Sequence, residues 1–153
     1  MPHILIVDDD PLNSGIAADA LVNAGYACGC VENAEVALEL LKWRRPDLLL
    51  LDQDMPGMSG GAMLRTLRTS ENFYDLPVIM FTAVTGRQDE EQAIFAGAQD
   101  YIRKPFDPAA LVGRVQALLE KRASRPRHEN LRTALEKTAG TWQDPEERLK
   151  RIL

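Results

Sequence analysis

The chain has 153 residues, 45% hydrophobic and 27% charged, with a net charge of −5. That is about one domain's length, and the balance supplies a buried core and excludes global disorder. No apolar run reaches the roughly 18 residues of a membrane span, and no charged N-terminal region precedes an apolar stretch and cleavage site, so the expected address is cytoplasmic, with no membrane partner.

Ile4-Leu5-Ile6-Val7 is an apolar, β-branched run that stops at Asp8-Asp9-Asp10 and reads as a buried strand. Pro11 suits the first turn of the helix that follows. Ile16, Ala17, Ala20, Leu21 and Ala24 recur there at helical spacing, and Gly25 closes it. A short second strand covers residues 27–31. Alternation puts its Cys28 and Cys30 on one face as small packing residues, since neither a disulfide nor a zinc framework has this spacing. His3 and His128 lie far apart and make no ligand pair. Asn33 is an N-cap for a helix carrying Val36, Leu40, Leu41 and Trp43, the last as a packing residue at the helix end, and Pro46 stops it.

Residues 47–52, Asp-Leu-Leu-Leu-Leu-Asp, are apolar on both faces and predict a central parallel strand. The loop 55–60 leads into a helix with Met63, Leu64 and Leu67. Residues 77–81 form the fourth strand, ending at Thr82-Ala83. Residues 88–97 are predicted helical, residues 100–103 form a fifth strand ending at Lys104-Pro105, and Asp107-Pro108 start a last helix with Leu111, Val115, Leu118 and Leu119. Five alternations of strand and helix predict an α/β fold with a parallel sheet.

Residues 123–153 read as a separate, short helical tail or linker to an output domain. Linker composition at 124–127 precedes Leu131, Leu135, Thr138 and Trp142, a seam too short for a coiled coil, and residues 144–147 look like another helix start. Charge divides at about the same place: residues 1–120 hold 9 Lys and Arg against 18 Asp and Glu, and residues 121–153 hold 9 against 5. The acidic body argues against direct nucleic-acid binding by residues 1–122, and the basic tail suits an acidic surface.

Polar residues that interrupt the apolar pattern fall at strand ends: Asp8, Asp9 and Asp10 after the first, Asp52 after the third, Thr82 after the fourth, Lys104 after the fifth. In an open parallel sheet these ends converge where ligands bind. Like charges about 4 Å apart cost on the order of 4 kcal/mol per pair at an effective dielectric near 20, so such a cluster binds a proton or a cation. Oxygen donors suit Mg²⁺, a lysine and a hydroxyl opposite them suit phosphoryl oxygens, and a carboxylate can be the phosphoryl-accepting nucleophile. Asp52, alone at the end of the most apolar strand, is the candidate.

Val7-Asp8-Asp9-Asp10-Pro11, then residues 51–60 (Leu-Asp-Gln-Asp-Met-Pro-Gly-Met-Ser-Gly), then Phe81-Thr82-Ala83, then residues 101–106 (Tyr-Ile-Arg-Lys-Pro-Phe) resemble, in order and interval, the receiver domains of two-component response regulators. The resemblance covers about residues 3–122 and implies a CheY-like (βα)5 flavodoxin-like, doubly wound sheet of order 2-1-3-4-5, with residues 1–122 as the phosphoacceptor domain. It implies that Asp52 takes a phosphoryl group from a sensor histidine kinase or phosphotransfer protein and becomes a 4-aspartylphosphate. Asp9 and Asp52 would ligate Mg²⁺ with the backbone carbonyl of Asp54, and Asp8 through a water. Lys104, Thr82 and the backbone N–H of Ala83 would hold the phosphoryl oxygens. Thr82 and Tyr101 would form the switch, and Lys104-Pro105 is a candidate cis peptide at Pro105. Asp54 and Val84, two residues after Asp52 and Thr82, point to slow or moderate self-dephosphorylation.

The resemblance makes the chain a switch rather than an enzyme, one that changes partner binding or homodimerisation through the face of the fourth predicted helix, fifth strand and fifth helix, or through the tail. Two alternatives stand beside it. Asp52-x-Asp54 also resembles the nucleophile motif of haloacid-dehalogenase-type phosphatases, although there the nucleophilic strand comes first. A receiver that no longer accepts phosphate is the other. Kinase, signal and output are not legible.

Overall fold

The computed structural model describes residues 1–83, 92–94 and 96–123. In chain order these form β1 (His3–Val7), α1 (Pro11–Asn23), β2 (Ala27–Val31), α2 (Ala34–Leu41), β3 (Leu48–Leu51), α3 (Gly60–Arg68), β4 (Val78–Thr82), β5 (Asp100–Arg103) and α4 (Pro108–Ala123). The chain divides into two compact units, Met1–Leu119 and Glu120–Leu153, and the sheet lies wholly within the first. The predicted tail from residue 124, most of the helix predicted over 88–97, and Val84 lie outside the described residues. Among the described residues no helix is long and apolar enough to cross a membrane.

The five strands are all parallel and run β2-β1-β3-β4-β5, so the order reverses between β1 and β3. Alternation along the strands sorts the core into two layers. Leu5, Val7, Leu49, Leu51, Val78, Met80 and Tyr101 face α2 and α3. Ile4, Ile6, Leu48, Leu50, Ile79, Phe81 and Ile102 face α1 and α4. The four leucines of β3 are fully buried, as a central strand covered on both faces requires. Each such side chain stabilises the fold by roughly 1.5–3 kcal/mol through burial.

Helix ends follow local chemistry. Asp10 caps α1, accepting from the Leu12 N–H at 3.0 Å and from the Asn13 amide, and Pro11 takes the first turn. Gly25 follows the α1 C-cap at φ 101°. Asn33 caps α2 through the Val36 N–H at 2.8 Å, Ser59 caps α3 through the Ala62 N–H at 3.2 Å, and Asp107 accepts from the Ala109 N–H at 3.3 Å.

Two helix faces differ from the sequence expectation. In α1, Ser14, Ala17 and Leu21 are buried while Ile16 is exposed. In α2, Ala34, Ala37 and Leu41 are buried, whereas Val36 and Leu40 face solvent; Trp43, expected to pack at the helix end, lies just past α2 and is 88% exposed. Alanine on the inner face lets a helix lie close to the sheet. The larger side chains then fall one position off the packed stripe.

Candidate functional site

Strand register assembles the site. β1 and β3 pair with Val7 opposite Leu51, which sets the next residues, Asp8 and Asp52, side by side at the point where strand order reverses. The backbone holds both: the Asp52 N–H donates to the Val7 carbonyl at 2.9 Å and the Asp8 N–H to the Val31 carbonyl at 3.0 Å. On the other flank Thr82 lies opposite Arg103, and the Lys104 N–H donates to the Thr82 carbonyl at 2.9 Å. All four strand ends thus meet along one edge.

Carboxylate oxygens of Asp8, Asp9 and Asp52 lie within 4.8 Å of one another, with Asp9 exposed and the other two buried. The Lys104 Nζ is 2.6 Å from Asp8 Oδ2 and 3.7 Å from Asp52 Oδ2, and its side chain is nearly buried. The ammonium lies 4.9 Å from the centre of the Phe81 ring, which packs edge-on against Phe106. The peptide bond Lys104-Pro105 is cis. Asp8 also accepts the Asp10 N–H at 2.9 Å, and Asp52 is approached by the Asp54 N–H at 3.4 Å.

Burial pushes the Asp52 carboxyl up to about 6; Lys104 and the Asp54 N–H oppose this, and Asp8 adds to it. Among the described residues three carboxylates face one ammonium, so the nest is short of positive charge. Its donors are oxygen atoms, one of them reachable from solvent at Asp9. This set fits a hard divalent cation such as Mg²⁺, which keeps several waters and takes one or two carboxylates.

Thr82 is fully buried beyond the nest, and Ala83 follows it at the surface. By alternation Thr82 shares the α3 side of the sheet with Met80 and Tyr101. Tyr101 is 9% exposed and borders a cavity of about 210 Å³ whose walls include Gln53, Asp54, Leu64, Met80 and Ala93. Asp8, Asp9, Asp52, Thr82 and Lys104 therefore share one edge, with Tyr101 beneath it, while Asp10 is engaged as a helix cap.

Three contributors escaped sequence reasoning. Gln53 accepts the Gly61 N–H on its side-chain oxygen at 2.7 Å, tying the residue after Asp52 to the start of α3. Gly60 is obligatory by close approach: a β-carbon there would sit 2.1 Å from the Asp52 carbonyl oxygen. Glu35 reaches from α2 to the Met58 N–H at 2.9 Å. Ser59, one residue before a helix, is a readable cap signal. The contacts of Gln53, Gly60 and Glu35 join distant or backbone atoms and leave no pattern.

Comparisons with known proteins point to one family. Residues 4–116 match the response regulator receiver domain family. The phosphate regulon transcriptional regulatory protein PhoB of Pseudomonas aeruginosa is 43% identical over 118 residues, 77% of this chain and 52% of that protein. The DNA-binding dual master transcriptional regulator RpaA of Synechocystis is 39% identical over 125 residues, 79% of this chain and 50% of that protein. The chain spans about half the length of these curated relatives. A putative response regulator from Chloroflexus aurantiacus superposes with a TM-score of 0.75 at 34% identity, covering 78% of this chain and 98% of that one. The chain belongs to the response regulator receiver domain family.

Proposed function

We propose that this chain is a phosphorylatable switch in two-component signalling, with Asp52 as acceptor. One observation carries the reading: Asp52 is a buried carboxylate at the sheet's switch point, with oxygens of two further carboxylates within 4.8 Å and the Lys104 ammonium 3.7 Å away. A carboxylate oxygen of Asp52 attacks the phosphorus of a phosphohistidine on a sensor kinase or phosphotransfer protein. The P–N bond breaks, the imidazole leaves, and an aspartyl phosphate remains. Mg²⁺, held by Asp9, Asp52 and the Asp54 carbonyl, with Asp8 through water, would offset the negative charge of the acidic nest and the phosphoryl oxygens.

Lys104 exchanges part of its hold on Asp8 for a phosphoryl oxygen. Thr82 and the Ala83 N–H take the others, and the movement of Thr82 is passed to Tyr101, on the same side of the sheet. The face of β5 and α4 receives the change: there Arg114 pairs with Asp100 at 2.8 Å and Tyr101, Arg103 and Phe106 border a second cavity. Partner binding or homodimerisation through this face is the proposed output, in the cytoplasm, with residues 1–122 as the receiver and 123–153 as tail or linker. PhoB and RpaA are transcriptional regulators by name. A transcriptional destination is proposed on that basis, reached through a partner or further sequence rather than through the acidic body.

Incubation with acetyl phosphate and Mg²⁺, read by intact mass and peptide mapping, tests this. The expected result is one added phosphoryl group on Asp52, absent without Mg²⁺ and absent in Asp52→Asn. No transfer, or sustained turnover of a generic phosphomonoester, contradicts it.

A further inference from the structure

We propose that Glu35 is a positioning residue for the metal and phosphoryl site, its carboxylate holding the loop between β3 and α3 through the Met58 backbone amide. This rests on the reading of Asp52 and of the Asp54 carbonyl given above, because that loop, residues 53–59, carries Asp54.

The two ends of the loop are held by its own residues. The Gly60 N–H donates to the Gln53 carbonyl at 3.1 Å, the Gly61 N–H to the Gln53 side chain at 2.7 Å, and Ser59 caps α3. Just before the Ser59 cap the loop is also held from outside, by Glu35, whose Oε1 accepts the Met58 N–H at 2.9 Å across 23 positions of sequence. Met55 and Met58 rest partly buried on the core beneath. Apolar contact of flexible methionines sets depth but not register, whereas a directed hydrogen bond sets register.

Gly57 shows how closely the carboxylate is seated. Its φ is +81°, and a β-carbon there would stand 2.7 Å from Glu35 Oε1. The loop backbone thus wraps the carboxylate at a residue where a side chain would be strained and would displace it.

The anchor itself is firm. Glu35 sits in the first turn of α2, which is capped by Asn33 and packed through Ala34, Ala37 and Leu41. The helix N-terminus favours an anion there, and the Met58 N–H, with Glu35's own N–H, holds the carboxyl below its ordinary range. The hydrogen bond is therefore charge-assisted. Because Glu35 is exposed, its loss leaves the core intact, and the consequence falls on loop geometry.

The test compares Glu35→Ala and Glu35→Gln with the parent chain, using Mg²⁺ alone as the titrant. Calorimetry reads the Mg²⁺ dissociation constant, amide hydrogen exchange reads Met58, and the metal-free melting midpoint reads the fold. Expected for E35A is a Met58 amide that loses protection and an Mg²⁺ dissociation constant raised on the order of tenfold, the low end for groups supporting metal ligands. The metal-free midpoint stays near that of the parent. E35Q, whose amide oxygen accepts the same hydrogen bond, restores most of both.

E35A binding Mg²⁺ as the parent does, or keeping Met58 protected, overturns the inference. Equal loss in E35A and E35Q shows a bare charge effect and also overturns it. A parent chain that binds no Mg²⁺ defeats the site reading first, and the inference with it.

Discussion

At the end of the sheet where the strands begin, the charged and polar contacts lie at the surface. Arg45 Nη2 lies 2.8 Å from Asp75 Oδ1 with both side chains more than a third exposed, Asp47 accepts the His3 N–H at 2.7 Å, and Arg44 contacts the His3 ring. At the end where the strands stop, Asp8 and Asp52 are buried, Asp9 joins them, and Lys104 is their cation. Both ends are polar, so polarity does not distinguish them. Burial and charge imbalance do. Exposed pairs are typically worth 0–1 kcal/mol and tolerate change, whereas uncompensated buried charge is costly and persists where it performs chemistry.

The sharpest way to separate the two ends is to neutralise one carboxylate. Asp52→Asn is expected to abolish phosphoryl acceptance and yet raise stability at neutral pH. Its folded value of about 6 exceeds the ordinary 3.8, so the folded state binds the proton more tightly. Stability therefore falls as pH rises from about 4 to 6, and the unfavourable contribution is fully present above that window. Removing it gains on the order of 2 kcal/mol at pH 7 without metal and nothing near pH 3, read as a difference in melting midpoint across pH. A variant less stable than the parent at pH 7 contradicts the reading.

Lys104→Ala should act in the opposite sense. It leaves Asp8 and Asp52 buried without their cation, with an expected loss of about 3 kcal/mol at pH 7 in denaturant melts and a smaller loss in acid, where the carboxylates are protonated. A loss independent of pH would place the effect in packing against Phe81 instead.

Gly60→Ala sharpens the geometric half of the comparison. The added carbon meets the Asp52 carbonyl, so a loss of roughly 1–3 kcal/mol is expected, together with weakened Mg²⁺ binding. Parent-like Mg²⁺ affinity in a folded G60A chain would show that Asp52 tolerates displacement.

At the opposite end, Arg45→Gln should cost less than about 1 kcal/mol in denaturant melts and leave Asp52 phosphorylation unchanged. An altered phosphorylation rate would mean that the two ends are coupled.

How much of this was legible in the sequence follows from range of interaction. The strands were readable because Ile4–Val7 and Leu48–Leu51 are apolar runs that end in charge. The acidic nest was readable because parallel strands place their ends together, so four separate breaks in hydrophobicity converge without knowledge of any side-chain contact. The helix faces were less readable. Ala34 and Ala37 give a weak hydrophobic signal beside Val36 and Leu40, yet the small residues are the ones that fit against the sheet. Trp43 illustrates the same limit, since size alone does not place an aromatic in the core. Glu35 and Gly60 were illegible because their partners are backbone atoms of a loop whose path only the folded chain defines.

The imbalance at Asp52 is read most directly by following its side-chain carboxyl by NMR across pH, with and without Mg²⁺. The prediction is a midpoint near 6 in metal-free protein, moving downward by a unit or more once Mg²⁺ is bound. A midpoint near the ordinary 3.8, unmoved by Mg²⁺, would contradict the claim that this edge of the sheet is built to receive a cation and a phosphoryl group.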